Sequence, residues 1–289
     1  MAESTPGRAQ VYKTYKLFIG GGFSRSESGR CYDVVAADGS WLAGAALASR
    51  KDARDAVAAA RGAFARWAGA DGFNRGQVLY RLAEMLEGRS AQFVTEVAAG
   101  EGLSQPKARR TVAAAIDRLV WYAGWADKYA QFAGAANPVA GPYFNFSIPE
   151  PSGVVAVLAP QASSLLGLVS VTAPVIVTGN TAVVVASERR PLPGITLAEV
   201  IATSDVPPGV VNILSGRTAE LAPVLAGHMD VNAIDITGAD SGDRAELDRL
   251  AAGNLKRVLA LEQSWEEDPT PARMGAFVEI KTVWHPIGT

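Results

Sequence analysis

The chain has 289 residues, 48% hydrophobic and 19% charged, a composition that excludes intrinsic disorder and a coiled-coil rod and leaves room for a large core. Lys and Arg number 27 against 29 Asp and Glu, so no broad basic footprint for nucleic acid exists. Cys31 is the only cysteine, which excludes an internal disulfide framework, and His228 and His285 are too few to build a zinc centre, so no metal site is expected.

The opening sixteen residues carry no apolar core of the kind a secretory signal needs, so the cytoplasm is the expected compartment. Lys16 to Phe23 and Arg30 to Val35 read as two short strands joined through a Ser/Gly-rich turn. Ala53, Val57, Ala60, Phe64 and Trp67 recur at steps of four and three, the apolar face of a helix. Val78, Leu79, Leu82, Met85 and Leu86 mark a second helix ending at Gly88. A third opens at Ser90, a fitting N-cap, with Phe93, Val94 and Val97 inward. A long fourth helix is predicted from about Lys107 to Phe132, and Tyr143 to Ile148 alternates aromatic and polar residues as a strand does.

After Pro151 the rhythm changes. No charged residue stands between Pro151 and Ser187, but Pro160, Pro174 and the Gly179–Asn180 pair cut the run into pieces shorter than the roughly 20 residues of a membrane span. The better reading is a buried strand, a helix and another buried strand. Val/Ile-rich runs at Val154–Ala159, Ala182–Val185, Val210–Leu214, Val231–Ile236 and Arg257–Leu261 alternate with helical candidates at Ser163–Val177, Leu192–Thr203, Ala219–His228 and Asp240–Ala252. Strands buried on both faces and alternating with helices predict an α/β fold whose centre is a five-stranded, parallel, doubly wound, Rossmann-like sheet. Residues 1–150 then form an N-terminal hairpin, helices and a bridging strand, 151–262 the sheet, 263–275 a linker, and 276–289 a small terminal β element. In that last segment Val278, Ile280, Thr282 and Trp284 share one face. Such a strand must pair with something, a neighbouring molecule or its own N-terminal strands.

Several blocks in order resemble the aldehyde dehydrogenase superfamily: LFIGGGFSRSESGRCYDVVAADG at 17–39, DARDAVAAARGAFARWAG at 52–69, YAGWADK at 122–128, FNFSIPEPSGVVAVLAP at 144–160, Gly179–Thr181, PPGVVNILSG at 207–216, and NLKRV at 254–258. AFVEIKTVW at 276–284 is similar to the family's C-terminal oligomerisation strand. The resemblance implies NAD(P)-dependent aldehyde oxidation by a thiolate nucleophile, an oxyanion-binding amide and a carboxylate base.

Residue by residue, those requirements fail. The family's cysteine-bearing domain would fall between Leu261 and Ala276, where only about fifteen residues stand, and Cys31 matches no catalytic position; no catalytic residue is assigned. Where the family has Pro-Trp-Asn, this chain has Pro160, Gln161 and Ala162, with the Gln161 amide one residue off register. Leu261 occupies the position of the base, and Glu262 beside it would point to the other side of a strand. On the cofactor side, Glu188 remains of the Lys-Pro-x-Glu ribose motif, and Thr237 and Gly238 remain of the pyrophosphate turn. Asp243 replaces the glycine that follows; it suits a helix N-terminus but repels a diphosphate, while Asp240 and Asp243 equally read as ordinary first-turn residues. Only weak NAD(P) binding is expected. His228 reads as a helix C-terminal residue and His285 as exposed.

Two functions follow from the resemblance. The leading one is a non-catalytic subunit assembling with a full-length aldehyde dehydrogenase through the strand bearing Val278, Ile280 and Trp284. The other is NAD(P)-dependent aldehyde oxidation in a complex whose partner supplies the cysteine. A decayed, functionless product is a third reading, against which the intact burial pattern of the strands argues.

Overall fold

A computed structural model describes residues 11–261 and 263–288. The chain opens with β1 (Thr14–Tyr15), β2 (Leu17–Ile19), β3 (Gly22–Ser24), β4 (Cys31–Val35) and β5 (Trp41–Ala46). Lys16 to Phe23 is thus not one strand, because Gly20 and Gly21 take φ of 61° and 83° and turn the chain back on itself. A Cβ on Gly21 would lie 2.8 Å from Pro208, so only glycine fits that turn. Arg30–Val35 also does not pair with this hairpin: β4 pairs antiparallel with β5, itself parallel to β1. Strand β5, Ala/Gly-rich, carried no alternation by which to find it.

Four helices follow: α1 (Arg50–Ala68), α2 (Gly72–Gly88), α3 (Ser90–Glu101) and α4 (Gln105–Trp125). A capping box starts α1: the Ser49 Oγ accepts from the Asp52 N–H, and the Asp52 carboxylate accepts from the Ser49 N–H at 2.8 Å. Pro106 stands in the first turn of α4, where no N–H is missed. The predicted fourth helix breaks after Trp125 and resumes as α5 (Tyr129–Ala133). Then come β6 (Ala135–Asn137) and β7 (Tyr143–Pro151), a longer strand than the alternation at 143–148 indicated.

The central layer is β8 (Val154–Leu158), α6 (Leu166–Val177), β9 (Thr181–Val185), α7 (Leu192–Ala202), β10 (Val211–Leu214), α8 (Thr218–Ala226), β11 (Ala233–Asp235), α9 (Arg244–Ala251) and β12 (Arg257–Leu259). The charge-free run is therefore β8, α6 and β9, and no described helix is long and apolar enough to cross a membrane. The sheet has seven strands in the order β12-β11-β8-β9-β10-β2-β3 and is mixed. The five predicted strands are mutually parallel, but β2 adds antiparallel to β10 and β3 to β2. The five-stranded expectation fell short because Leu17 and Phe18, in a short glycine-bounded segment, are buried against this sheet. Buried Asn212 makes the join, its Oδ1 accepting from the Gly20 N–H at 2.8 Å.

Side chains alternate across the sheet as strand geometry requires. Val155, Val157, Ala182 and Val184 pack under α2, α3, α4, α6 and α7, while Val154, Ala156, Leu158, Val183 and Val185 pack under α1, α8 and α9. Helix α6, buried along its whole length, lies in the first of these layers.

The chain ends with α10 (Ala272–Gly275) and β13 (Val278–Pro286). Strand β13 pairs antiparallel with β7 of the same chain over its full length, Val278 opposite Pro151 and Pro286 opposite Tyr143. It is an edge of the three-stranded sheet β13-β7-β6 rather than a free arm. The start of β13 is anchored by fully buried Asn180, whose Nδ2 donates to the Phe277 carbonyl at 2.8 Å while its Oδ1 accepts from the Gly153 N–H. Val278, expected on a docking surface, is 5% exposed in the core; Ile280 and Trp284 on the same strand face are 54% and 59% exposed.

Candidate functional site

In an open parallel sheet, ligands sit outside the carboxyl ends of the strands, where the strand order reverses. Here that point lies between β8 and β11. Gly238, just past β11, is pressed onto β8: its N–H donates to the Leu158 carbonyl at 3.0 Å, and a Cβ there would stand 2.1 Å from the Ala159 oxygen. Beside it is a cleft of about 250 Å³ whose lining includes Gln161, Glu188, Arg189, Gly238, Asp240 and Asp243. That volume is below the ~300–1,000 Å³ typical of small-molecule sites, and three of its eight lining residues are acidic against one arginine.

The residues that the resemblance assigned to the cofactor are engaged with the protein itself. Glu188 accepts from Arg217 Nη1 at 2.5 Å and from the Thr218 N–H at 3.1 Å, so it caps α8. Gln161 turns its amide inward, with Oε1 accepting from the Glu188 N–H at 2.9 Å and Nε2 donating to the Ala159 carbonyl at 3.2 Å. Thr237 is tied to β11 by its N–H, which donates to Asp235 Oδ1 at 2.9 Å. Asp243 stands at the start of α9 without capping it by its side chain, and its N–H donates to the Asp240 carbonyl.

The segment expected as a linker is packed into the site. Arg273 of α10 is 2% exposed; its Nη1 donates to Asp235 Oδ2, and its Nη2 donates to Thr237 Oγ1 at 3.2 Å and to the Leu261 carbonyl at 3.0 Å. Its Nε donates to Gln263 Oε1 at 3.3 Å. The guanidinium also lies over the Trp265 ring at 5.3 Å. Burial pushes the Asp235 carboxyl up, while Arg273 and the Thr237 N–H oppose the shift. A second buried arginine, Arg118 of α4, holds the same segment by its backbone: Nη2 donates to the Trp265 and Glu267 carbonyls at 3.0 and 2.9 Å, and Nη1 to Ser170 Oγ. The Arg273 guanidinium thus bridges Thr237 and Leu261, the residues that the resemblance aligned with the pyrophosphate turn and the base.

The remaining expected residues lie apart from this constellation. Cys31 opens β4 and is exposed. His228 follows α8, its Nδ1 accepting from the Asp230 N–H at 3.2 Å, and burial pushes its pKa down. His285 pairs with Phe144 in the terminal sheet. Glu262 and residues 1–10 lie outside the described residues. Among the described residues no group of three or more His, Cys, Asp or Glu is placed to hold a metal. Sequence reading missed Arg273, Arg118 and Arg217. Only Asp235 gave a signal, a lone acid in a Val/Ile run that calls for a buried cation.

A doubly wound parallel layer with a glycine pressed into its switch point defines a dinucleotide-binding type of α/β protein. The profile of the aldehyde dehydrogenase family matches residues 23–263, and the chain belongs to that family. It is 34% identical over 252 residues to cytosolic 10-formyltetrahydrofolate dehydrogenase of Mus musculus, covering 84% of this chain and 28% of that one. The structure is similar to HpcC from Thermus thermophilus, with a TM-score of 0.81, 28% identity, and coverage of 85% of this chain and 47% of that one. It is also similar to PnpE in complex with nicotinamide adenine dinucleotide, with a TM-score of 0.79, 29% identity, and coverage of 84% and 50%. The chain therefore spans about half the length of these solved relatives.

Proposed function

We propose that this chain is a non-catalytic member of the aldehyde dehydrogenase family that assembles with a full-length homologue and oxidises no aldehyde alone. The observation that carries this reading is Arg273, buried between Asp235, Thr237 and Leu261, where cofactor and base would otherwise meet. A cation fixed there by several hydrogen-bonding groups is a built structure, and its removal would strand a buried carboxylate. The cleft beside it is small and acidic, and its Glu188 is taken by Arg217. Binding of NAD(P) by this chain is accordingly weak.

The docking element is the three-stranded sheet. The outer edge of β13 pairs with no strand among the described residues, and Ile280 and Trp284 are exposed on it. An edge of this kind joins a partner by strand addition. The test is co-purification of the tagged chain with a full-length aldehyde dehydrogenase from the same cells, with and without the paired changes Ile280→Asp and Trp284→Ser. Stoichiometric recovery that the double variant abolishes supports the proposal. A chain that runs alone beside an abundant full-length enzyme, or binding indifferent to the double variant, overturns it.

The retained Gly238, Thr237 and Glu188 favour a second reading, NAD(P)-dependent oxidation in a complex whose partner brings the thiol. NADH saturating the purified chain below about 100 μM would favour it over the first.

A further inference from the structure

A larger cavity lies on the other side of Glu188. It has a volume of about 580 Å³ and is walled by Tyr32 and Asp33 of β4, Gly100 of α3, and Arg189, Arg190 and Arg217. Glu188 is the only one of its lining residues that belongs to the vestigial cofactor positions. Asp240 and Asp243 line the small cleft and not this cavity, Arg190 and Arg217 line this cavity and not the cleft, and Arg189 borders both.

The three guanidinia differ in what already holds them. Arg217 donates to Glu188 Oε1 at 2.5 Å and lies over the Tyr32 ring at 5.7 Å. Arg190 donates to the neutral Ala162 carbonyl at 2.6 Å and pairs with no carboxylate among the described residues. Arg189 is exposed and makes no hydrogen bond or ion pair within the described residues. Asp33, the other acid of the wall, accepts from Trp41 Nε1 at 2.9 Å. Glu188 is thus an internal anion seated on Arg217 and on the Thr218 N–H, while Arg189 and Arg190 form no ion pair among the described residues.

We propose that this cavity binds a small phosphorylated metabolite, its phosphate taken by Arg189 and Arg190 and Glu188 competing with it for Arg217. Guanidinium pairs match phosphate oxygens in geometry as well as charge. The volume lies within the ~300–1,000 Å³ of small-molecule sites, so the ligand carries an organic body as well as its phosphate. This inference rests on the cavity alone and stands independently of the subunit role.

Inorganic pyrophosphate is a direct probe, titrated calorimetrically into the purified chain. Saturation with a dissociation constant below about 1 mM is expected. Arg189→Ala weakens it about tenfold, one charge-assisted contact being lost. Glu188→Gln tightens it several-fold by freeing Arg217, whereas Arg110→Ala on the exposed side of α4 and Asp243→Asn in the small cleft leave it unchanged. The proposal is overturned by absence of saturation, by equal affinity in the wild type and Arg189→Ala, or by tightening in Asp243→Asn without tightening in Glu188→Gln. The last result would place the anion in the small cleft.

Discussion

Glu96 on α3 has three donors on one carboxylate oxygen and none on the other. Its Oε1 accepts from Thr196 Oγ1 at 2.8 Å, Gln92 Nε2 at 3.1 Å and Tyr15 Oη at 3.1 Å, while Oε2 is buried and unpartnered. Burial pushes this carboxyl above its usual range, and the three donors offset only part of that. A raised native pKa means the folded state holds the proton more tightly, so Glu96 favours folding in acid and loses that contribution as pH rises through its native pKa. Glu96→Gln does not titrate. Its stability relative to the wild type should therefore climb from about pH 4.5 upward and then level off, as read from urea midpoints across pH; a difference that stays flat would refute it. At the candidate site the corresponding residue is Gly238. Gly238→Ala drives a methyl into the Ala159 carbonyl and should cost about 1–3 kcal/mol in the same measurement. Neither residue was legible in this role from sequence. Glu96 sat within a predicted helix with nothing to announce Tyr15 or Thr196 beside it, and Gly238 was read for its cofactor motif rather than for the backbone it touches.

Residues 263–275 have the composition of a loop, with prolines and acids in close succession, yet they are fixed by two buried arginines. Arg118 reads their backbone from α4, and Arg273 carries α10 onto β11. Breaking the latter pair from one side should be far worse than removing both charges. Arg273→Met leaves Asp235 buried without its cation and should cost about 3–5 kcal/mol, whereas Asp235→Leu combined with Arg273→Met should recover most of that loss. Equal destabilisation of the single and double variants in urea denaturation would show that the pair does not close this segment. Sequence reading failed here because composition describes what a segment exposes on average. Of this one and its continuation into β13, Met274 and Phe277 are fully buried and Trp265 is partly buried against the main core. Conversely, the elements of the central layer were legible within a few residues, since Val and Ile runs between turn residues have few alternatives.

For the whole molecule, the seven-stranded sheet and the three-stranded terminal sheet hold the two functional predictions apart. Closure of the strand ends by Arg273 predicts that NADH, followed by tryptophan fluorescence, does not saturate below about 100 μM. Deleting residues 276–289 should abolish association with a full-length homologue. It should also destabilise the chain, because Phe277 and Val278 leave the core, so Ile280→Asp with Trp284→Ser is the cleaner variant for binding.

The sequence by itself determined the central α/β layer and the family, because these follow from local periodicity and from residue chemistry at fixed spacings. Only the tertiary structure decided the rest. It extended the sheet to seven strands through β2 and β3, laid β13 on β7 of its own chain, and set the arginines at the carboxyl ends of the strands. Each of these depends on contacts between residues far apart in the chain, such as Arg273 with Asp235 or Asn212 with Gly20, and no local pattern records which distant group a side chain will meet.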